Sequence, residues 1–568
     1  MRVVRLLGFA AAAVLLSASA AGCRSASTDE ALAERGPSSG LELVDVAAEV
    51  GLDFRHGAFR QGASPDAPAM MGGGLCWLDY DGDGWLDLFV VDGYAQRERD
   101  EWLAGEGLPT SRLFRNVEGR FEDVTEETGA GLELRGQGCV AADLDGDGRT
   151  DLYVTGADRS TLLWNEGGRA FEEAGDESGV RLFGWHGGAA AGDVDGDGRV
   201  DLVVTGYVDL ANRVPEATLG FPNTFLGRRD LLFLSEGGDG GGRAAFREAG
   251  AEAGLEVAGF GYGLGVVLED FDRDGDLDVH VANDTNPNRL YENVPWPGGA
   301  EADPAGLGFR FEERAAAAGV ADPGSGMGIA AADWDGDGRT DLFVSNARGQ
   351  GHAAYRGDPP GENELSFTDV RADLGPDLGD STGWGVSWAD LDLDTHLDLV
   401  LVNGDIPVTD LESDAEPVRV FRNLAAEGSE GRFADVGRDA GLDAVGPLLA
   451  RGSAAADYDN DGDVDVAVLV VGGPLVLLEN RGATGNRLAV ALEGSPPGAE
   501  VSIVLPDGRT LRRTIQAGSS YLSSEDPRLH FGLGDAESVA ELLVRWPGGE
   551  ETRVDDVGAN RLVTVKAP

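Results

Sequence analysis

Basic residues are scarce in this chain of 568 residues: 45 Lys plus Arg stand against 101 Asp plus Glu, a formal charge of −56, and Lys566 is the only lysine. Cysteine occurs three times and histidine six. A chain this negative repels phosphate backbones and anionic lipid surfaces, and no basic stripe interrupts the charge, so nucleic acid is excluded as a partner and cations are favoured. His56, His186, His280, His352, His396 and His530 form no metal-ligand or triad spacing, which argues against a histidine-based catalytic centre. His186 and His352 precede Gly/Ala-rich segments and are the two candidates to face a central channel, with a structural role as the commoner reading of such residues. Beyond the N-terminus no apolar run is long enough to cross a membrane. Apolar residues are not scarce: 42% of the chain is hydrophobic, with 10 Trp and 21 Phe, enough for a sizeable core and too much for wholesale disorder.

The first residues read as an address. Arg2 and Arg5 precede an apolar run from Leu6 to Leu16, which passes through small residues to Ala20-Ala21-Gly22-Cys23. That order is an export signal over residues 1–22. Small residues before Cys23 resemble the bacterial lipobox, which implies lipidation of Cys23 and a membrane association by that anchor alone. Ordinary secretion is the alternative. Arg24 after the cysteine points to the outer membrane, facing the periplasm or the surface, and residues 23–40 read as a flexible tether. Cys76 and Cys139 stand three and four residues before acidic loops. In strands those offsets place them on opposite faces, so two buried free thiols are expected rather than a disulfide.

One nine-residue pattern, Asp-x-Asp-x-Asp-Gly-x-x-Asp, recurs about every 63 residues. Its acids are Asp79, Asp81, Asp83 and Asp87; Asp143, Asp145, Asp147 and Asp151; Asp193, Asp195, Asp197 and Asp201; and Asp270, Asp272, Asp274 and Asp278. They continue as Asp333, Asp335, Asp337 and Asp341; Asp390, Asp392, Asp394 and Asp398, with Thr395 in place of the glycine; and Asp457, Asp459, Asp461 and Asp465. Carboxylates at positions 1, 3 and 5 curl around a hard cation, glycine at 6 permits the turn, and the acid at 9 closes the shell, so up to seven Ca²⁺ are expected. Solvated hairpin turns are the competing reading, but two carboxylates about 5 Å apart repel by roughly 3 kcal/mol at an effective dielectric near 20, a crowding no turn requires. An EF-hand would place Glu at 12 and enter a helix; here runs such as Leu88-Phe89-Val90-Val91 follow, so these are strand-loop-strand sites. Thr395 is expected to compromise the sixth loop.

Between the loops lies a second element, an apolar strand often ending in Asn and then a Phe-centred strand, as in Leu113-Phe114-Arg115-Asn116 with Phe121-Glu122-Asp123-Val124. Each unit therefore has four strands, and seven such units describe an all-β, seven-bladed β-propeller over residues 41–482. Phe-centred strands fall at Phe121, Phe171, Phe246, Phe311, Phe367 and Phe433, and none follows the seventh loop. Leu43-Val44-Asp45-Val46-Ala47 fits the missing position and is expected to complete the last blade. Residues 486–568 alternate in short strands with turns at Pro506-Asp507-Gly508 and Pro547-Gly548-Gly549, a small β-sandwich.

Several motifs then read as a set: Asn283-Asp284-Thr285-Asn286-Pro287-Asn288, Gly326-Met327-Gly328 and Gly383-Trp384-Gly385 in the repeats, and Gly518-Ser519-Ser520-Tyr521-Leu522-Ser523, Leu529-His530-Phe531-Gly532-Leu533-Gly534 and Trp546-Pro547 in the tail. With them the chain resembles the cartilage acidic protein family, in which an FG-GAP/VCBS-type propeller precedes an ASPIC/UnbV domain. The resemblance implies calcium-binding extracellular proteins of adhesion or recognition. The expected function is a non-catalytic exported scaffold for a protein or glycan ligand. The alternative is an enzyme acting on a saccharide or other small substrate at the mouth of the channel. The longest step between loops, from Asp193 to Asp270, holds Tyr207, Phe221 and Phe225 as candidate ligand contacts.

Overall fold

The computed structural model describes residues 40–568 apart from 216, 218, 238–242, 256–259, 360–364 and 376–378. The export signal, Cys23 and all but the end of the tether lie outside the described residues. The protein is all-β in its architecture, with short helical turns.

Each Gly/Ala-rich segment forms a strand entering an acidic loop, as in His186–Gly192 and Ala450–Ala456, and each apolar run forms the strand leaving it, as in Asp201–Gly206 and Asp465–Val470. Two further antiparallel strands complete each sheet, giving, among the described residues, seven sheets built on one four-strand plan. Six are built from consecutive segments: residues 75–123, 136–173, 186–248, 263–313, 329–369 and 383–435. The seventh joins residues 450–480 to Leu43–Asp45, which runs antiparallel to Val476–Asn480 with Leu43 opposite Asn480. The first strands of successive sheets neighbour one another, and Ala450–Ala456 of the seventh sheet neighbours Leu75–Leu78 of the first. Crowding at these inner strands explains their composition: a Cβ on Gly328 would lie 2.0 Å from the carbonyl oxygen of Trp384 in the next sheet.

The outer strand is shorter than the sequence pattern indicates. Ala47 opens a helical turn, Ala47–Val50, which ends at Gly51 in the left-handed region; Thr125–Thr128 with Gly129 and Ala315–Ala318 with Gly319 repeat the device. The recurring glycine is thus a helix C-cap, where a residue without Cβ adopts positive φ at no steric cost.

Cys76 and Cys139 are disulfide-bonded, correcting the expectation of free thiols. Cys76 lies in Leu75–Leu78 of the first sheet and Cys139 in Gly136–Ala142 of the second. Two sheets stacked face to face present opposite faces to each other, so the odd difference in offset is what an inter-sheet bridge requires. The bridge closes a span of 63 residues, for which chain entropy gives a stabilisation of about 4 kcal/mol.

The tail has two sheets. In one, Asn486–Leu492 pairs antiparallel with Leu529–Gly534 and parallel with Arg561–Val565; the other orders Thr510–Thr514, Glu500–Val504, Ser538–Arg545 and Glu551–Gly558. Val490, Ile503, Phe531 and Leu542 belong to one apolar core shared by both.

Between Thr510–Thr514 and Leu529–Gly534 the chain leaves the tail and threads along the inner strands of the seven sheets. The N–H groups of Trp77, Cys139, Ala191 and Ile329 donate to the carbonyls of Ser524, Leu522, Ala517 and Ser520 at 2.8–3.1 Å. The Val386 N–H donates to Ser520 Oγ, which also meets Ser453 Oγ at 3.2 Å. In the fourth sheet Glu269 accepts from Thr514 Oγ1 at 3.1 Å and Gln516 Nε2 at 2.9 Å. From the opposite side comes the helical turn Ala67–Met71: the Tyr521 hydroxyl donates to Met71 O at 2.8 Å, and Arg451 Nε donates to Met70 O at 2.7 Å. Arg451 lies 3.9 Å over the Trp384 ring, which in turn meets Tyr521 edge-on at 4.9 Å. Tyr521, Leu522, Met71 and Trp384 are all buried. The axis of the sheets is therefore packed core.

Candidate functional site

The acidic loops follow one hydrogen-bond scheme, complete in the first and partial in the fifth and seventh, where Asp333 Oδ1, Asp457 Oδ1 and Asp465 Oδ2 lack partners. Asp79 Oδ1 accepts from the N–H of Gly82 and Asp83, and Asp79 Oδ2 from that of Gly84, at 2.9–3.1 Å. Asp83 Oδ1 accepts from the Trp85 N–H at 2.9 Å. The first and fifth positions thus organise the turn. The ninth position ties it to the sheet: Asp87 Oδ2 accepts from Tyr80 N at 3.0 Å and Oδ1 from Asn116 N at 2.8 Å. The strand-side bond recurs in every loop, from the N–H of Asn165, Ser235, Asn293, Gly357, Asn423 and Asn480 at 2.7–2.9 Å. The closing acid is therefore a structural post as well as a donor, each of its oxygens keeping a second lone pair.

Within a loop, one oxygen from each of Asp79, Asp81 and Asp87 lies within 4.8 Å of the others, and the same holds for Asp143, Asp145 and Asp151 and for Asp333, Asp335 and Asp341. In the third and fourth loops the clusters are Asp193, Asp195 and Asp197, and Asp270, Asp272 and Asp274. Several buried oxygens of these acids have no hydrogen-bond partner: Asp81 Oδ1, Asp333 Oδ1, Asp392 Oδ1, Asp457 Oδ1 and Asp465 Oδ2. A buried carboxylate oxygen without a donor is costly. An all-oxygen set with such orphans fits a hard divalent cation of the calcium type. Burial first, then the neighbouring acids, pushes the carboxyls of Asp87, Asp151 and Asp201 up to about 8, even though Arg115, Arg149 and Arg199 each pair with another acid of the same loop.

The sixth loop departs from expectation. Thr395 sits at φ 86° and Leu393 at φ 60°, yet Thr395 N donates to Asp390 Oδ2 at 2.8 Å and Asp394 N to Asp390 Oδ1 at 3.0 Å, as in the glycine loops. The tail holds it: Gly534 N donates to Leu393 O at 2.9 Å and Arg509 Nη1 to Thr395 Oγ1 at 2.7 Å. A Cβ on Gly532 would come within 2.1 Å of Asp390 Oδ2, so the Phe531-Gly532-Leu533-Gly534 run is shaped to lie on this loop.

The asparagine that ends many third strands has a role the sequence did not reveal. Asn116 Nδ2 donates to Tyr458 O of the seventh loop at 2.7 Å, Asn165 to Tyr80 O of the first, Asn293 to Val194 O of the third and Asn480 to Leu391 O of the sixth, each at 2.8 Å. Each asparagine fastens its own sheet to the preceding loop. Its recurrence beside the acidic pattern was the available signal.

The other candidates fare differently. Tyr207 is fully buried, its hydroxyl donating to Asp284 Oδ2 at 2.8 Å and its ring 4.7 Å from Trp185, which corrects its reading as an exposed contact. Phe221 is exposed and stacks on Trp185 at 6.0 Å; Phe225 is half-buried with Arg213 5.0 Å over its ring. His186 and His352 face no open channel: both are buried, and burial lowers them to about 3 and about 4. Among the described residues no helix is long and apolar enough to cross a membrane.

Residues 482–568 match the ASPIC and UnbV family, and residues 79–154, 143–204, 270–344 and 333–401 match the FG-GAP-like repeat. Mouse cartilage acidic protein 1 is 29% identical over 321 residues, covering 54% of this chain and 45% of that protein, so the match spans less than half of the relative's length. Among solved structures, an Agrocybe aegerita lectin that recognises non-reducing terminal N-acetylglucosamine is 16% identical with a TM-score of 0.34, covering 74% of this chain and 92% of its own. The rhamnogalacturonan lyase YesW is 13% identical with a TM-score of 0.31, covering 83% and 92%. The chain is thus built of FG-GAP-like repeats followed by an ASPIC and UnbV domain, the domain content it shares with cartilage acidic protein 1.

Proposed function

We propose that this protein is an exported calcium-binding scaffold that recognises an extracellular protein or glycan and catalyses no reaction. In this reading residues 41–482 form a closed seven-bladed propeller, residues 486–568 a tail domain seated on its loop side, and Cys23 a lipid anchor in the outer membrane. The observation that carries it is the set of seven acidic loops, four of which hold buried carboxylate oxygens that lack donors: Asp81, Asp333, Asp392, and Asp457 with Asp465. Calcium at each loop would join an inner strand to its neighbour and set the loop face rigid. The filled axis weighs against the alternative of an enzyme acting on a saccharide at a channel mouth, because Tyr521, Leu522 and Met71 occupy that place. The test is a binding screen of the calcium-loaded chain against glycans and exported proteins, run beside a hydrolysis and elimination screen on the same saccharides. Turnover of a saccharide would overturn the reading; stoichiometric, calcium-dependent binding without turnover supports it.

A further inference from the structure

Two positions beside the ligand acids change from loop to loop: position 7 of the loop, and the residue that precedes the strand-side donor to the closing acid. In the second, third and fifth loops position 7 is Arg149, Arg199 and Arg339. Each guanidinium is held from both sides. Its Nε donates to the carbonyl of Asn165, Ser235 or Gly357 at 2.8–3.3 Å, and its Nη2 pairs with the position-5 acid, Asp147, Asp197 or Asp337. In the first and sixth loops the cation comes from the strand instead: Arg115 lies 2.9 Å from Asp81, and Arg422 lies 3.3 Å from Asp392. Five loops therefore hold an arginine on an acid that calcium also needs.

The fourth and seventh loops invert both positions. Position 7 is Asp276 and Asp463, and the strand residue is Glu292 and Glu479. Among the described residues no cation pairs with Asp270, Asp272, Asp274 or Asp278, nor with Asp457, Asp459, Asp461 or Asp465. The nearby arginines are engaged elsewhere: Arg273 with Glu500 at 3.4 Å, Arg314 with Glu292 at 2.6 Å, and Arg528 with Asp526 at 2.8 Å. Arg487 approaches only the position-7 acid Asp463, at 3.7 Å. Calcium affinity in such loops follows the charge of the site. An arginine on a ligand acid opposes the ion, whereas an acid at position 7 attracts it without having to reach it.

We propose that the seven loops form two classes, in which the fourth and seventh fill first and the other five fill only at higher calcium, where the ion competes with a resident arginine. This rests on the calcium reading of the loops and adds the order in which they fill. Between the two concentrations the arginines stand in for calcium on one acid of each unfilled loop. The probe is calcium alone, titrated calorimetrically into the chelator-stripped full chain. Two ions are expected in a first phase, bound roughly tenfold or more tightly than the rest. Asp276→Asn and Asp463→Asn should each take one ion out of that phase, and Arg149→Asp should add one. A gained tight site cannot come from misfolding, and unchanged melting at saturating calcium checks the two losses. A single uniform phase, or a first phase still of two ions in Arg149→Asp, would overturn the inference and leave the calcium reading standing. No uptake at all would remove both.

Discussion

In the first acidic loop Gly82 and Gly84 supply the two left-handed positions at φ 73° and 89°, and open space surrounds both. In the sixth, Leu393 and Thr395 hold the same positions at φ 60° and 86°, beneath the tail. Left-handed backbone costs a residue with a Cβ about 1–2 kcal/mol. The first loop is therefore formed by its own nine residues, whereas the sixth is formed by contacts with a segment more than a hundred residues away in sequence. The same hydrogen bonds within the turn thus come from local propensity in one case and from tertiary packing in the other. Tail and repeats are consequently one structural unit, joined at the axis by Tyr521 and Leu522 and at the sixth loop by Arg509 and Gly534.

The largest test of that comparison is to end the chain after Gly482. The sixth loop would lose its supports, and the N–H groups of Trp77, Cys139, Ala191 and Ile329 would lose their partners on the axis. Aggregation beyond that of the full chain is expected, read by size exclusion; a truncated chain with unaltered melting would break the account.

Calcium removal comes next and should reach both loops. At millimolar calcium a site of extracellular affinity adds roughly 0.5–1.4 kcal/mol, so seven together add several. The effect of pH should reverse with the metal. Asp87, Asp151 and Asp201 rise from 3.8 to about 8 in loops without a cation, so the folded chelated chain binds protons more tightly than the unfolded one and loses stability as pH rises from about 4 to about 8. With calcium the acids must be ionised, and stability should instead fall on acidification. Melting curves at both ends of that window, with and without chelator, check the crossing.

Within the axis, Leu522→Ala should cost about 2–5 kcal/mol, while Tyr521→Phe, which removes only the bond to Met71 O, should cost about 1. Denaturant midpoints at constant slope measure both.

The smallest and sharpest effect is the reciprocal swap. Gly84→Thr places a β-branched residue at positive φ with no tail contact to hold it and should cost about 1–2 kcal/mol. Thr395→Gly removes that strain but also the bond from Arg509, so its net change should be under about 1 kcal/mol. Equal costs for the two would show that the tail does not support the sixth loop.

The acidic loops were legible because ligand chemistry and turn geometry both act within nine residues, and Asp-x-Asp-x-Asp-Gly-x-x-Asp states both at once. The strand Leu43–Asp45 was legible from the count of Phe-centred strands, and the structure pairs it with Val476–Asn480. What escaped depends on how sheets face each other. The Cys76–Cys139 bridge is invisible to strand-face alternation within one sheet, because its two thiols belong to facing sheets. Gly518-Ser519-Ser520-Tyr521-Leu522-Ser523 stood out as a motif, but nothing local indicates that small polar residues there meet inner strands from other sheets. Tyr207 looked like a loop aromatic, and only the neighbouring Trp185, Met71 and Asp284 make it core.

Calcium titration of the chelator-stripped full chain, followed by calorimetry, tests the central claim most directly. Uptake approaching seven ions per chain is expected, one for each acidic loop, with one ion lost on Asp335→Ala and one on Asp392→Ala, since the sixth loop keeps its turn. Absence of calcium uptake, or uptake unchanged by both substitutions, would contradict the account and reduce the loops to solvated turns.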